Sequence, residues 1–213
     1  MRFCVLSSSP VRLARLMPVF SMTVTAQRGT TVIRRDGFER VLVHGQPCII
    51  EPFQAFDLHI AGSAWQPAGC RVEMASACGA TDPIALHRDL SQRIFLQPQL
   101  PWNAAFVADL LGESPDRIRR TLFAGGAAFG ELCRTQRLMR LLFEPMHART
   151  ALPALKRSVG WPASHDLEAA FHDRFGASLH RFQCALAGED DNTTDRRPAP
   201  GIGHHYWPSL FPA

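Results

Sequence analysis

Arg117, Arg119 and Arg120 crowd into one short stretch, directly after Ser114-Pro115 and Asp116. A guanidinium is a rigid fork of donors. It can take a guanine edge two-pronged or hold a phosphate. On the outer side of a recognition helix, these arginines would grip nucleic acid. On an ordinary helical hairpin they would be a solvated basic face. A second polar string, Ser164, His165, Asp166 and Glu168, lies further along the chain. Its glutamate could accept from a cytosine amino group, although two acids also repel phosphate.

The elements that must position these groups follow from spacing. Ala104, Val107, Ala108 and Leu111 form one narrow apolar stripe, and Gly112 ends that helix. Ser114 then reads as an N-cap and Pro115 as the first residue of a new helix, with Asp116 at its positive end. In this helix Ile118, Leu122 and Phe123 are expected to face inward and the arginines outward. After Gly125-Gly126, a helix of about four turns should run to Pro145, which cannot continue it. Phe129, Leu132, Cys133, Leu138, Leu141 and Leu142 are its apolar residues, and Arg134, Arg137 and Arg140 recur three apart. The logic then repeats. A short helix spans Leu152 to Val159, Gly160 breaks it, and Ser164 reads as the next N-cap. The following helix carries Leu167, Ala170, Phe171 and Phe175 on one side and closes at Gly176.

From Trp102 to Phe182 the chain resembles the AraC/XylS family of bacterial transcription regulators. The residues carrying the resemblance are Trp102, Ala108, Ser114-Pro115, Gly126, Phe129, Leu132, Arg137, Val159-Gly160-Trp161, Ala170-Phe171, Phe175-Gly176 and Phe182. Within it, Ile118, Arg120, Leu122 and Glu131 keep the family's order. It looks most like members with a small N-terminal domain that govern acid resistance or virulence genes. The resemblance implies a seven-helix domain of two helix-turn-helix units, with a long helix holding two recognition helices about one DNA turn apart. Carried over by position, Asp116, Arg117, Arg119 and Arg120 would read DNA from the first unit. Ser164, His165, Asp166 and Glu168 would do so from the second, with Arg174 and Arg181 on phosphates. It implies promoter DNA, RNA polymerase and a second copy of the chain as partners. The chain departs from the family pattern at Glu113, Leu141, Lys156, Pro162 and Leu179. These changes, with Asp166 and Glu168, point to a diverged second unit. The alternative function is a family member that no longer binds DNA and acts on another regulator by protein contact.

Charge follows the proposed surface. The formal net charge is +4, and Pro115 to Phe182 holds eleven Lys/Arg against six Asp/Glu. With 46% hydrophobic residues the chain can bury a core. Six cysteines and nine histidines are scattered without metal-ligand spacing or a nucleophile–base pattern. Neither catalysis nor a cofactor is expected. A Cys70–Cys78 redox pair is the remaining possibility for the thiols. No apolar run approaches the roughly 20 residues of a membrane span, and a cytoplasmic location is expected.

Residues 21–80 change to short alternating runs rich in Val, Ile and Thr, around Met22–Gln27, Thr30–Arg35, Arg40–Gly45 and Pro47–Pro52. Arg35-Asp36-Gly37 and His44-Gly45-Gln46 offer turns. The stretch Val41 to Leu58 looks like the hairpin of a small jelly-roll or half-cupin, a type of domain that family members use for sensing or dimerisation. His44, Glu51 and His59 lack the spacing of a metal cupin. The fold class is therefore α+β: a small β domain (21–80), a linker with a short helix (81–100), and an all-α bipartite domain (101–183). Residues 1–20 and 184–213 are expected to be poorly ordered.

Overall fold

The computed structural model describes residues 1–75, 85–145 and 150–187. Two four-stranded antiparallel sheets come first: β1 (Arg2–Ser7), β2 (Val11–Leu16), β3 (Met22–Arg28), β4 (Thr31–Arg35), β5 (Phe38–Leu42), β6 (Pro47–Ile50), β7 (Phe56–Ile60) and β8 (Ala68–Met74). Their orders are β1-β8-β3-β6 and β2-β7-β4-β5. Seven helices follow among the described residues: α1 (Leu86–Leu96), α2 (Ala104–Leu111), α3 (Pro115–Ala124), α4 (Phe129–Leu141), α5 (Leu152–Ser158), α6 (Leu167–Phe175) and α7 (Leu179–Ala187). The α+β class holds. No helix of the described residues is long and apolar enough to cross a membrane.

Residues 2–16 are not a loose leader. Phe3 and Val5 on β1, and Val11, Leu13 and Leu16 on β2, are buried in the core. Arg12 and Arg15 disguised this pattern by breaking up the apolar residues, yet both point outward. Arg12 pairs with Asp57 at 2.7 Å. Arg15 takes a left-handed φ of 53° where the register slips between Leu13 and Leu16. One extra residue there flips the alternation, so no strict period survives in the sequence.

The β4–β5 hairpin turns on Asp36 and Gly37, at φ 37° and 79°. Two positive φ values in a two-residue loop match the twist of the strands they join. The stretch Val41 to Leu58 is not a hairpin. β5 pairs with β4 in one sheet, while β6 pairs with β3 in the other. Local sequence cannot distinguish a strand that turns back from one that crosses to the opposite sheet, because both alternate in the same way.

Residues 85–100 are less a linker than a packed element. Leu90, Ile94 and Phe95 of α1 are fully buried, and α1 lies against α4. Gln92 Nε2 donates to Val19 O at 3.1 Å, tying α1 to the β domain. Arg137 donates to Pro98 O and Leu100 O, both at 3.2 Å, and pins the segment before α2 onto α4. At the other end, Cys184 to Ala187 complete α7 rather than open a loose tail.

Two apolar cores result. The first unit has its own, built from Leu90, Ile94, Trp102, Val107, Ala108, Ile118, Leu122, Leu132 and Cys133. The second unit shares a single core with the β sandwich, running from Val5 and Leu13 to Phe171, Phe175 and Phe182. β2 packs on α6 and β1 on α7. Phe3 stands edge-on to Phe143 and Phe182, with centroids at 5.0 and 5.8 Å. Each such phenylalanine withdraws enough apolar area to stabilise the junction by roughly 1.5–3 kcal/mol.

Candidate nucleic-acid interface

The first unit is built as its residue types demand. Asn103 caps α2 by accepting the Phe106 N–H at 2.9 Å. Gly112 closes that helix at φ 66°. Ser114 Oγ accepts the Arg117 N–H at 3.2 Å, and Pro115 opens α3. Ile118 and Leu122, one turn apart, are buried. Phe123, expected inward, is 82% exposed, and Leu111 is also outside. Phe123 follows the buried Leu122 by one step round the helix, which carries it away from the core, whereas Leu111 shares the face of Val107 and Ala108 but stands at the very end of α2.

The three arginines of α3 are all exposed. Arg117 lies 3.0 Å from Glu113 and Arg119 lies 2.8 Å from Asp116. Among the described residues Arg120 has only the Asp116 carbonyl, at 3.4 Å. Such exposed pairs are worth about 0–1 kcal/mol. They orient the guanidiniums without holding them against a stronger anion. Asp116 thus serves to position Arg119.

Of the three basic residues of α4, only Arg134 is exposed. Arg137 is bound to the carbonyls before α2. Arg140 pairs with Glu144 at 2.7 Å and lies over the Phe95 ring.

The second unit differs more from expectation. The N-cap of α6 is Asp166, not Ser164, and its carboxylate accepts the Ala169 N–H at 3.1 Å. Ser164 and His165 sit exposed in the turn before the helix. Glu168 Oε1 accepts the Leu179 N–H at 2.8 Å, satisfying the first turn of α7. Both acids have structural partners within the fold. Lys156 reaches round the turn to Ala163 O at 3.0 Å. Gly160, at φ 63°, lets the chain pass Pro98, whose oxygen a Cβ would meet at 2.3 Å. Gly176 closes α6 at φ 70°. Arg174 is half-buried, and its Nε has no hydrogen-bond partner. Burial pushes its pKa down, the Arg15 charge adds to that, and Glu131 opposes it. Arg181 Nη2 contacts Ser9 Oγ at 3.4 Å.

A cleft of about 1010 Å³ opens between the two units. Arg119, Arg120 and Phe123 enter it from α3, Arg134 from α4, and His165 and Asp166 from the turn into α6. Parts of both expected reading edges therefore face one space. Asp116, Arg117, Ser164, Glu168, Arg174 and Arg181 do not line it. Arg134, Phe123 and Trp161 do, although they were not singled out as site residues. The buried stripe of Leu132, Cys133, Gln136 and Met139 leaves Arg134 on the open side of α4, a signal present in the spacing.

Among the described residues no group of three or more His, Cys, Asp or Glu could hold a metal. Burial pushes the Cys70 thiol up to about 12, and Cys4 adds to this. Its suggested partner Cys78 lies outside the described residues.

No family model matches the chain. No curated protein matches it. Solved structures do share its fold. ToxT from Vibrio cholerae superposes with a TM-score of 0.62 at 9% identity, over 88% of this chain and 99% of that one. Unsaturated fatty acid-bound wild-type ToxT from the same organism gives 0.60 at 8% identity, over 90% and 97%. What this chain has in common with ToxT is the two-domain α+β arrangement, a double-sheet domain followed by helices.

Proposed function

We propose that this chain is a sequence-specific DNA-binding transcription regulator, with α3 in one major groove and the turn into α6 at the next. The observation that carries the reading is the placement of Arg119 and Arg120 with His165 along one cleft spanned by α4. A convex duplex can meet both edges at once only if they share a side. The AraC/XylS-like residues from Trp102 to Phe182 support it, as does the fold shared with ToxT, an AraC-family regulator. By the same resemblance the output is activation, RNA polymerase is a partner, and two copies meet through the β domain. α3 supplies base recognition, since its guanidiniums are exposed and weakly held. The second unit contributes less. The exposed face of α6 presents Ala169, His172 and Asp173 and no arginine or lysine.

That last observation favours a second reading: a diverged member that acts on another regulator by protein contact. Selection from a randomised duplex library separates the two. The DNA reading expects an enriched site with at least one strongly specified half-element. A pool that stays random after repeated rounds overturns it in favour of the second.

A further inference from the structure

We infer that the cleft between α3 and α6 seats the sugar–phosphate backbone running between the two half-sites, and that Arg134 of α4 is the residue that grips it. This rests on the DNA reading above and assigns the middle of the interface, which neither recognition edge covers.

The lining matches that occupant. Arg119, Arg120, Arg134 and Arg137 bring four guanidiniums to one opening, against the carboxylates of Glu131 and Asp166. Asp166 is committed to capping α6. A duplex carries one negative charge for each ~1.7 Å of axis, so whatever stretch crosses the cleft brings phosphates to these cations. The remaining wall mixes small residues with aromatic ones. Phe123 is 82% exposed on the α3 side, and Trp161, only 8% exposed, adds a small surface on the opposite side. A deoxyribose has apolar C–H faces between its phosphates, and flat rings accept those faces without regard to sequence. Between the two reading edges, the floor of the cleft around Arg134 therefore suits a backbone.

Arg134 is the free hand in this arrangement. Arg137 is held by two carbonyls and Arg140 by Glu144. Arg119 has Asp116. Arg134 touches Asp173 of α6 at 3.8 Å, the longest of the ion pairs among the described residues, with both side chains exposed. A phosphate arriving in the cleft competes with that carboxylate for the same guanidinium. Asp173 thus weakens the grip, and the second unit, with no exposed cation on α6, depends on Arg134 for its share of the backbone.

The test is a salt series on the full chain with a duplex chosen by selection, read by fluorescence anisotropy. Arg134→Ala is expected to lower the slope of log affinity against log salt by about 0.9, the signature of one lost phosphate contact. Between 50 and 200 mM salt this shrinks the wild-type loss of affinity by roughly 3.5-fold. The loss should be the same on every duplex, because a phosphate carries no sequence. Arg134→Lys should keep the slope, and Asp173→Asn should strengthen binding. A methylphosphonate placed between the half-elements should weaken the wild type and leave Arg134→Ala unaffected. Sequence-specific binding with an unchanged slope in Arg134→Ala would overturn the inference and leave the DNA reading standing. Absence of binding to any duplex would overturn both.

Discussion

Arg120→Ala isolates the claim that α3 reads base edges. Of the three arginines on this helix, Arg117 and Arg119 have carboxylate partners at 3.0 and 2.8 Å. Arg120 has only a carbonyl at 3.4 Å. It therefore gives up least on turning to DNA, and its full interaction should appear in binding. A two-pronged contact to a guanine is worth about 1–3 kcal/mol of discrimination, a factor of roughly 5–150 in affinity. The substitution itself should not disturb the fold. Arg120 is exposed, and alanine is the better helix former. The assay is anisotropy on a selected duplex and on duplexes with each guanine of the first half-element replaced in turn. One replacement should bring wild type and Arg120→Ala to the same affinity, because the contact is then missing in both. Equal loss on every duplex would assign Arg120 to a phosphate. No loss on any duplex would refute the reasoning.

Other perturbations test the scaffold. Gly160→Ala forces a Cβ to within 2.3 Å of Pro98 O at φ 63°. It should cost at least about 1–3 kcal/mol, read as a lowered melting temperature. Leu13→Ala opens a cavity in the core shared by the sandwich and the second unit, and should cost about 2–5 kcal/mol. Because α6 packs on β2, hydrogen exchange followed through a denaturant series should show the amides of β2 and α6 opening in one coincident transition. Separate transitions would contradict the common core. Asp57 sets an acid dependence. Burial pushes its carboxyl up, but Arg12, the Arg15 N–H and their charges outweigh this and hold its pKa below the ordinary 3.8. A depressed folded pKa stabilises above the unfolded value, and that contribution is lost as pH falls through the folded one. Asp57→Asn should flatten the acid limb of a stability–pH curve below about pH 4–5. An unchanged limb would rule out the ion pair as its source.

Legibility in the sequence followed the range of the forces at work. Helix ends that depend on one or two residues could be read directly: Gly112 and Gly176 at positive φ, Ser114-Pro115 at the start of α3, and Asp36-Gly37 in the hairpin. Each solves a local backbone problem. Features set by a distant partner could not be read. β1 and β2 stayed hidden because Arg12 and Arg15 interrupt the apolar run, and their outward direction depends on Asp57 and on the carbonyl of Asp173 in α6. Whether Val41 to Leu58 turned back or crossed between sheets depended on β3, far behind in the chain. At α6 Ser164 was the expected cap, but the helix starts two residues later, with Asp166 as its cap and Leu167 buried beside it. The acids that seemed to oppose DNA prove to have local partners. The exposed side of α3 was legible, but the cleft it shares with Arg134 and Trp161 is a product of tertiary packing.

In the proposed complex, two helix-turn-helix edges meet one face of a duplex. Guanine-methylation interference on a selected binding site measures this directly. Two patches of interference should appear on the same face, their centres separated by about 10–10.5 base pairs, with the stronger patch abolished by Arg120→Ala. A single patch, or two patches on opposite faces, would contradict the account.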